Sequence, residues 1–221
     1  MGLDDAPKNG DMDCNDVTFG LLDQYGQPYS DPPKTVQSWT IGYEDMGTEQ
    51  DFDFNDVVIR VTPNTYDHTA KIELLANGGT LKTELFYGNQ NLGEVSKLMN
   101  KPQSQMINTE ENQATIAPVT VAENLSWPDG YTMAENCGLF KIKVYRDNGE
   151  IVEVSTNSYL QSKIPQAVCV AGNWSWPKEK TSISIAYPMI GEWGKNVNDQ
   201  SYWNWYASPV QESVVTPFSE Q

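Results

Sequence analysis

The same pattern of oxygen-bearing side chains occurs twice in this chain. Asp11-Met-Asp-Cys-Asn-Asp-Val17 and Asp51-Phe-Asp-Phe-Asn-Asp-Val57 align at an offset of forty residues, and the alignment also lays Asp5 on Asp45 and Asp4 on Glu44. The filler between the outlying acids and each cluster, Ala6–Gly10 and Met46–Gln50, differs freely. Carboxylates and amides kept in place while their neighbours change are what a hard cation requires. Ca²⁺ takes six to eight oxygens, and D-x-[DN]-x-[DN] delivers three from one short loop. The candidate ligands are Asp5, Asp11, Asp13, Asn15 and Asp16 in the first copy, and Asp45, Asp51, Asp53, Asn55 and Asp56 in the second, for one or two Ca²⁺ ions. The competing reading is that Asp and Asn only cap turns through bonds to nearby backbone amides.

The elements that must carry these loops read as strands. Alternation places Asp51, Asp53 and Asn55 on one side and Phe52 and Phe54 on the other, so the rings can anchor the loop to a core. The loop departs from an EF-hand. Its sixth position is Asp56 or Asp16 instead of Gly, its twelfth is Thr62 or Leu22 instead of Glu, and Val57-Val-Ile-Arg-Val61 continues it as strand. Further strands are expected at 17–22, 36–43, 70–75, 81–87, 116–121, 139–145, 151–155, 165–171 and 182–187. Asn77-Gly78-Gly79 and Asn148-Gly149 read as hairpin turns. Residues 93–100 are the best helical candidate, and 106–113 read as loop. About ten short strands without intervening helices predict an all-β antiparallel sandwich of the jelly-roll kind.

One domain over 1–221 is expected. Its parts are the first acidic repeat and strand (1–22), a Pro- and Gly-containing loop (23–35), a body (36–206) and a tail (207–221).

Glu44-Asp-Met, Asp51-Phe-Asp-Phe-Asn-Asp-Val-Val58, Gly78-Gly-Thr-Leu81, Glu94-Val95, Met106-Ile-Asn-Thr109, Trp176-Pro-Lys-Glu179 and Ala186-Tyr-Pro188, followed by Trp193 and Trp205-Tyr206, together resemble the LruC-type domain family. That family occurs in surface and secreted proteins of Bacteroides-like and marine bacteria. The resemblance runs from about residue 39 to 206, with the first repeat as an additional acidic copy. Ser96 stands where the family usually places a His, so no role is carried to it. The family has no established activity; the resemblance implies calcium binding and a surface location, not a reaction.

Composition narrows the classes. A net charge of −16 argues against nucleic acid or an anionic membrane as partner. No apolar run approaches a membrane span, so direct insertion is not expected. No charged-then-apolar leader opens the chain, so an export signal or lipid anchor is expected outside this sequence. Cys14, Cys137 and Cys169 supply no disulfide framework. Cys14 replaces Phe54 in the repeat and reads as a small buried hydrophobe, and Cys137 and Cys169 read as thiols with a bridge open to them. His68, the only histidine, lies in an expected loop, and zinc sites and Ser-His-Asp triads would both need it.

Tyr202, Trp203, Trp205 and Tyr206 form a second candidate site. Alternation would put Trp203 and Trp205 on one face, where rings could stack on a sugar. Trp176 and Trp193 read as core. The expectation is a calcium-binding module of a secreted or surface protein, structural or adhesive and not an enzyme, with a glycan or another surface protein as partner. The alternatives are a calcium-supported carbohydrate-binding module and a polysaccharide-active enzyme, which would need two opposed carboxylates outside the acidic loops.

Overall fold

The structure is a computed structural model and describes residues 2–3, 17–18, 38–45, 51–64, 66–109, 116–128, 131–158, 165–196 and 199–215. Where the sequence suggests one domain, contacts divide the chain into two compact units, Met1–Thr35 and Val36–Gln221. The boundary falls at the end of the expected 23–35 loop. In the first unit, β1 (Gly2–Leu3) pairs antiparallel with β2 (Val17–Thr18). All five acidic-repeat residues of that unit, and Cys14, lie outside the described residues.

The second unit is an all-β sandwich. Its strands are β3 (Trp39–Tyr43), β4 (Val57–Asn64), β5 (Thr69–Ala76), β6 (Lys82–Tyr87), β7 (Gln90–Glu94), β8 (Val119–Ser126), β9 (Phe140–Tyr145), β10 (Ile151–Ser155) and β11 (Ala167–Ala171). A five-stranded antiparallel sheet runs β11-β3-β4-β5-β8, and a four-stranded one runs β10-β9-β6-β7. Alternation decides what each face buries. Ile41, Tyr43, Val57, Ile59, Val61, Ile72 and Leu74 from the larger sheet meet Leu85, Phe140, Ile142, Val144 and Val154 from the smaller in one core.

The opposite face of the larger sheet carries a second core. Val58, Leu75, Ala76 and Val170 are covered there by Trp174, Trp176, Ile183, Ala186, Tyr187, Trp205 and Val214 from the C-terminal segment. Trp176 is fully buried and Trp193 packs against this core.

The all-β antiparallel sandwich is as expected, and its larger sheet carries a Greek-key return. There β11 returns beside the first strand of a hairpin run, β3-β4-β5, while the other sheet joins two local hairpins. Several expectations are corrected. Asn77-Gly78-Gly79 does not close a hairpin: β5 and β6, which flank it, belong to different sheets. Asn148-Gly149 does close one, β9 to β10, with Gly149 at φ +84°.

Residues 182–187 form no strand. Ile183–Ala186 is a single helical turn whose N-terminal Ser182 Oγ accepts from the Ser184 amide at 3.4 Å. Ile183, Ala186 and Tyr187 then fall on one helical face, buried in the second core, and Ile185 points outward. The expected 93–100 helix shortens to Val95–Leu98, because Gln90–Glu94 pairs with β6 as an edge strand. The expected tail is docked as far as it is described. Val214 bridges Pro177, and the Val215 amide donates to Trp176 O at 2.8 Å.

Candidate metal centre

The second acidic loop is the turn end of the β3–β4 hairpin. Tyr43 pairs with Val57, so Glu44 and Asp45 leave one strand where Asp56 enters the next. Phe52 and Phe54 take left-handed conformations, φ +56° and +55°. Each costs about 1–2 kcal/mol for a residue with a Cβ, and burial of the rings offsets it. Phe54 is a member of the second core and Phe52 packs against it. With the rings pinned, the carboxylates are turned together.

Oxygens of Glu44, Asp51 and Asp53 lie within 4.8 Å of one another. Glu44 and Asp53 are each only 2% exposed. Backbone amides orient them: Phe54 N–H donates to Glu44 Oε1 at 2.6 Å, Asn55 N–H to Asp53 Oδ1 at 3.1 Å, and Lys180 N–H to Asp53 Oδ2 at 2.8 Å. Turn capping is therefore part of what these residues do, but it does not account for the charge. Among the described residues, no Lys or Arg forms an ion pair with Glu44, Asp51, Asp53 or Asp56. Burial, with neighbouring carboxylates adding to it, pushes Glu44 up to about 7, Asp53 to about 8 and Asp56 to about 9.

Asn55 supplies the decisive atom. Its side chain is 0% exposed, and its Nδ2 donates to Pro177 O at 3.1 Å, while Oδ1 is buried with no hydrogen-bond donor among the described residues. Buried acceptors are almost always satisfied, and an orphan calls for a donor or a cation. Gly78 makes room for it: a Cβ there would lie 2.1 Å from Asn55 Oδ1. Gly78 N–H donates to Asn55 O at 3.0 Å, so the backbone of the β5–β6 connection forms one wall of the site. An orphaned buried amide oxygen in the same loop as three clustered carboxylates fits a hard, oxygen-loving cation.

The expected ligands divide into two groups. Asp51 and Asp53 meet Glu44, which was not among the expected ligands, and Asn55 lies beside them in the chain. Asp45 and Asp56 face each other instead. Asp45 N–H donates to Asp56 Oδ2 at 2.6 Å, and Gly79 lies against both side chains, with Asp45 Oδ2 2.8 Å and Asp56 Oδ1 3.4 Å from where its Cβ would be. The glycines were legible as Gly78-Gly79 but read as a turn. Nothing in the residue types marked Pro177 or Lys180 as walls of the site.

The C-terminal aromatics do not share one face. Residues 200–202 and 205–207 are 3₁₀ turns, so alternation does not apply. Trp205 is 7% exposed and packs edge-on to Tyr187 at 5.4 Å between ring centroids, whereas Trp203 is 53% exposed. Tyr202 and Tyr206 are half-buried. Cys137 and Cys169 are both free thiols.

A family described as a domain of unknown function (DUF4842) matches residues 132–206. That span holds the segment walling the site but not the acidic loop, and the LruC-type resemblance has no separate counterpart. No curated protein matches. Among solved structures, a "putative lipoprotein" from Bacteroides ovatus is similar at 13% identity and a TM-score of 0.45, over 89% of this chain and 80% of that one. Among the described residues, no helix is long and apolar enough to cross a membrane.

Proposed function

We propose that this chain is a calcium-binding β-sandwich module of a secreted or surface-anchored protein, in which the ion fixes the β3–β4 loop. The observation that carries the reading is the orphaned Asn55 Oδ1, buried in the loop whose Glu44, Asp51 and Asp53 carboxyls form no ion pair with Lys or Arg among the described residues. Glu44, Asp51, Asp53 and Asn55 would hold the ion, and a divalent charge there supplies the electrostatic partner that lets these carboxyls ionise. Phe52 and Phe54 tie the loop to the second core, so order at the site is passed to the C-terminal layer packed on the same core. Weak sites of this kind fill at the millimolar calcium found outside cells. At a hundred times the dissociation constant, binding adds about 2.7 kcal/mol of stability.

Thermal melting of the metal-stripped chain tests this. Calcium should raise the midpoint by several degrees and a chelator should reverse the gain. Magnesium, which demands a tighter octahedral shell and dehydrates reluctantly, should restore little. Identical melting curves with and without calcium would remove the basis for the reading.

A further inference from the structure

Two thiols far apart in sequence meet at the first core, and they come from opposite sheets. Along β11, Ala167 and Cys169 turn toward that core, while Val168 and Val170 turn toward the second. Cys169 is held in the larger sheet by its pairing with Ile41 of β3. Cys137 begins the 3₁₀ turn Cys137–Leu139, which leads directly into Phe140 of β9 in the smaller sheet, and it packs against the same core. Both thiols are free and half-buried, and they are in hydrogen-bonding contact with each other. Thr156 Oγ1, just past the end of β10, lies 3.2 Å from Cys137 Sγ.

The contact is unequal. Hydrogen bonds from Cys169, and then from Thr156 and the Gly138 backbone, draw the Cys137 thiol down to about 6 against the opposing effect of burial. The same contact with Cys137, together with burial, holds Cys169 well above the ordinary thiol range. At neutral pH one sulfur is therefore a thiolate and the other a protonated donor to it. Cysteines that only fill space need no such division, whereas thiol–disulfide exchange needs an attacking thiolate with a second thiol in reach. We propose that Cys137 and Cys169 are a disulfide-forming pair, closed by exchange with an external disulfide, which staples β11 of the larger sheet to the turn that opens β9 of the smaller one. The Cys137 thiolate attacks one sulfur of the oxidant, whose S–S bond breaks. A mixed disulfide forms on Cys137, and the first oxidant sulfur leaves and takes up a proton. Cys169 then gives up its proton, attacks Cys137 Sγ and displaces the second oxidant sulfur as a thiol. Two protein thiols lose two electrons in all, and one oxidant disulfide is reduced to two thiols. This staple is independent of the cation site.

Oxidised glutathione, added to the reduced full chain at fixed calcium, tests it. All proteins carry Cys14→Ser, which leaves only the two thiols in question. Peptide mapping by mass spectrometry should find both thiols lost together in a Cys137–Cys169 bridge, with no glutathione retained. The melting midpoint should rise by about 5–10 °C, since the bridge restricts the unfolded chain between its ends, and a reductant should reverse the gain. Adding Cys169→Ser should stop the reaction with one glutathione on Cys137 and no rise in midpoint. Adding Cys137→Ser instead should slow glutathione uptake at least tenfold. A two-thiol chain that keeps both thiols free, or that holds glutathione on Cys137 without closing the bridge, would overturn the proposal. So would a bridge that forms only when the chain is unfolded in urea, or one that leaves the midpoint unchanged.

Discussion

Glu44, Asp53 and Asp56 hold protons more tightly in the folded chain than in the unfolded one, where carboxyls titrate near about 4. Without metal, their contribution to stability is full below that ordinary value. It declines as the pH rises and is gone once the pH passes the folded values of about 7, 8 and 9. Metal-stripped protein should therefore melt progressively lower from pH 5 to pH 9. Asp53→Asn, which removes one of these protons from the balance, should flatten part of that slope. Calcium binds the ionised carboxylates, so its stabilising increment should grow over the same window. A stripped protein whose midpoint is level or rises across that range would contradict the buried-carboxyl account. At this scale the sequence was informative because ligand chemistry leaves few residue types to choose from. The Asp-x-Asp-x-Asn-Asp spacing marked the loop. It could not show that Glu44 rather than Asp45 turns inward, because that depends on the hydrogen bond from Phe54 N–H to Glu44 Oε1.

Elements buried on a face of a sheet were readable from alternation, and the misreadings share a cause. Ser182-Ile-Ser-Ile alternates like a strand, but among the described residues nothing pairs with it edge to edge. A helical turn buries Ile183, Ala186 and Tyr187 together, and that contact with the second core wins. Gln90–Glu94 shows no apolar alternation because it is an edge strand, and Asn77-Gly78-Gly79 serves close approach to the acidic loop, not reversal of the chain. The aromatic segment follows the same logic. Trp205 is a core residue and Trp203 is not, so Trp205→Ala should destabilise by about 3–5 kcal/mol and Trp203→Ala by under about 1 kcal/mol, measured by chemical denaturation. Equal small losses would return both rings to the surface and reopen a shared stacking face for sugars.

For the whole molecule, the structure places the acidic loop where three parts of the second unit meet: the β3–β4 hairpin end, the glycine-walled β5–β6 connection and the 177–183 segment. Hydrophobic patterning foretold a two-sheet sandwich. The third layer on its outer face was not foretold, because Trp174, Trp176, Tyr187 and Trp205 are spread over a segment with little regular structure. With a net charge of −16, the chain carries far more acid than its basic residues balance, and at this junction the buried Glu44 and Asp53 form no ion pair with Lys or Arg among the described residues. The most direct test is equilibrium uptake of calcium by the metal-stripped full chain, compared with Asp53→Asn. The account predicts saturable binding complete by a few millimolar, weakened strongly by the substitution. No uptake in that range, or uptake that Asp53→Asn leaves unchanged, would contradict it.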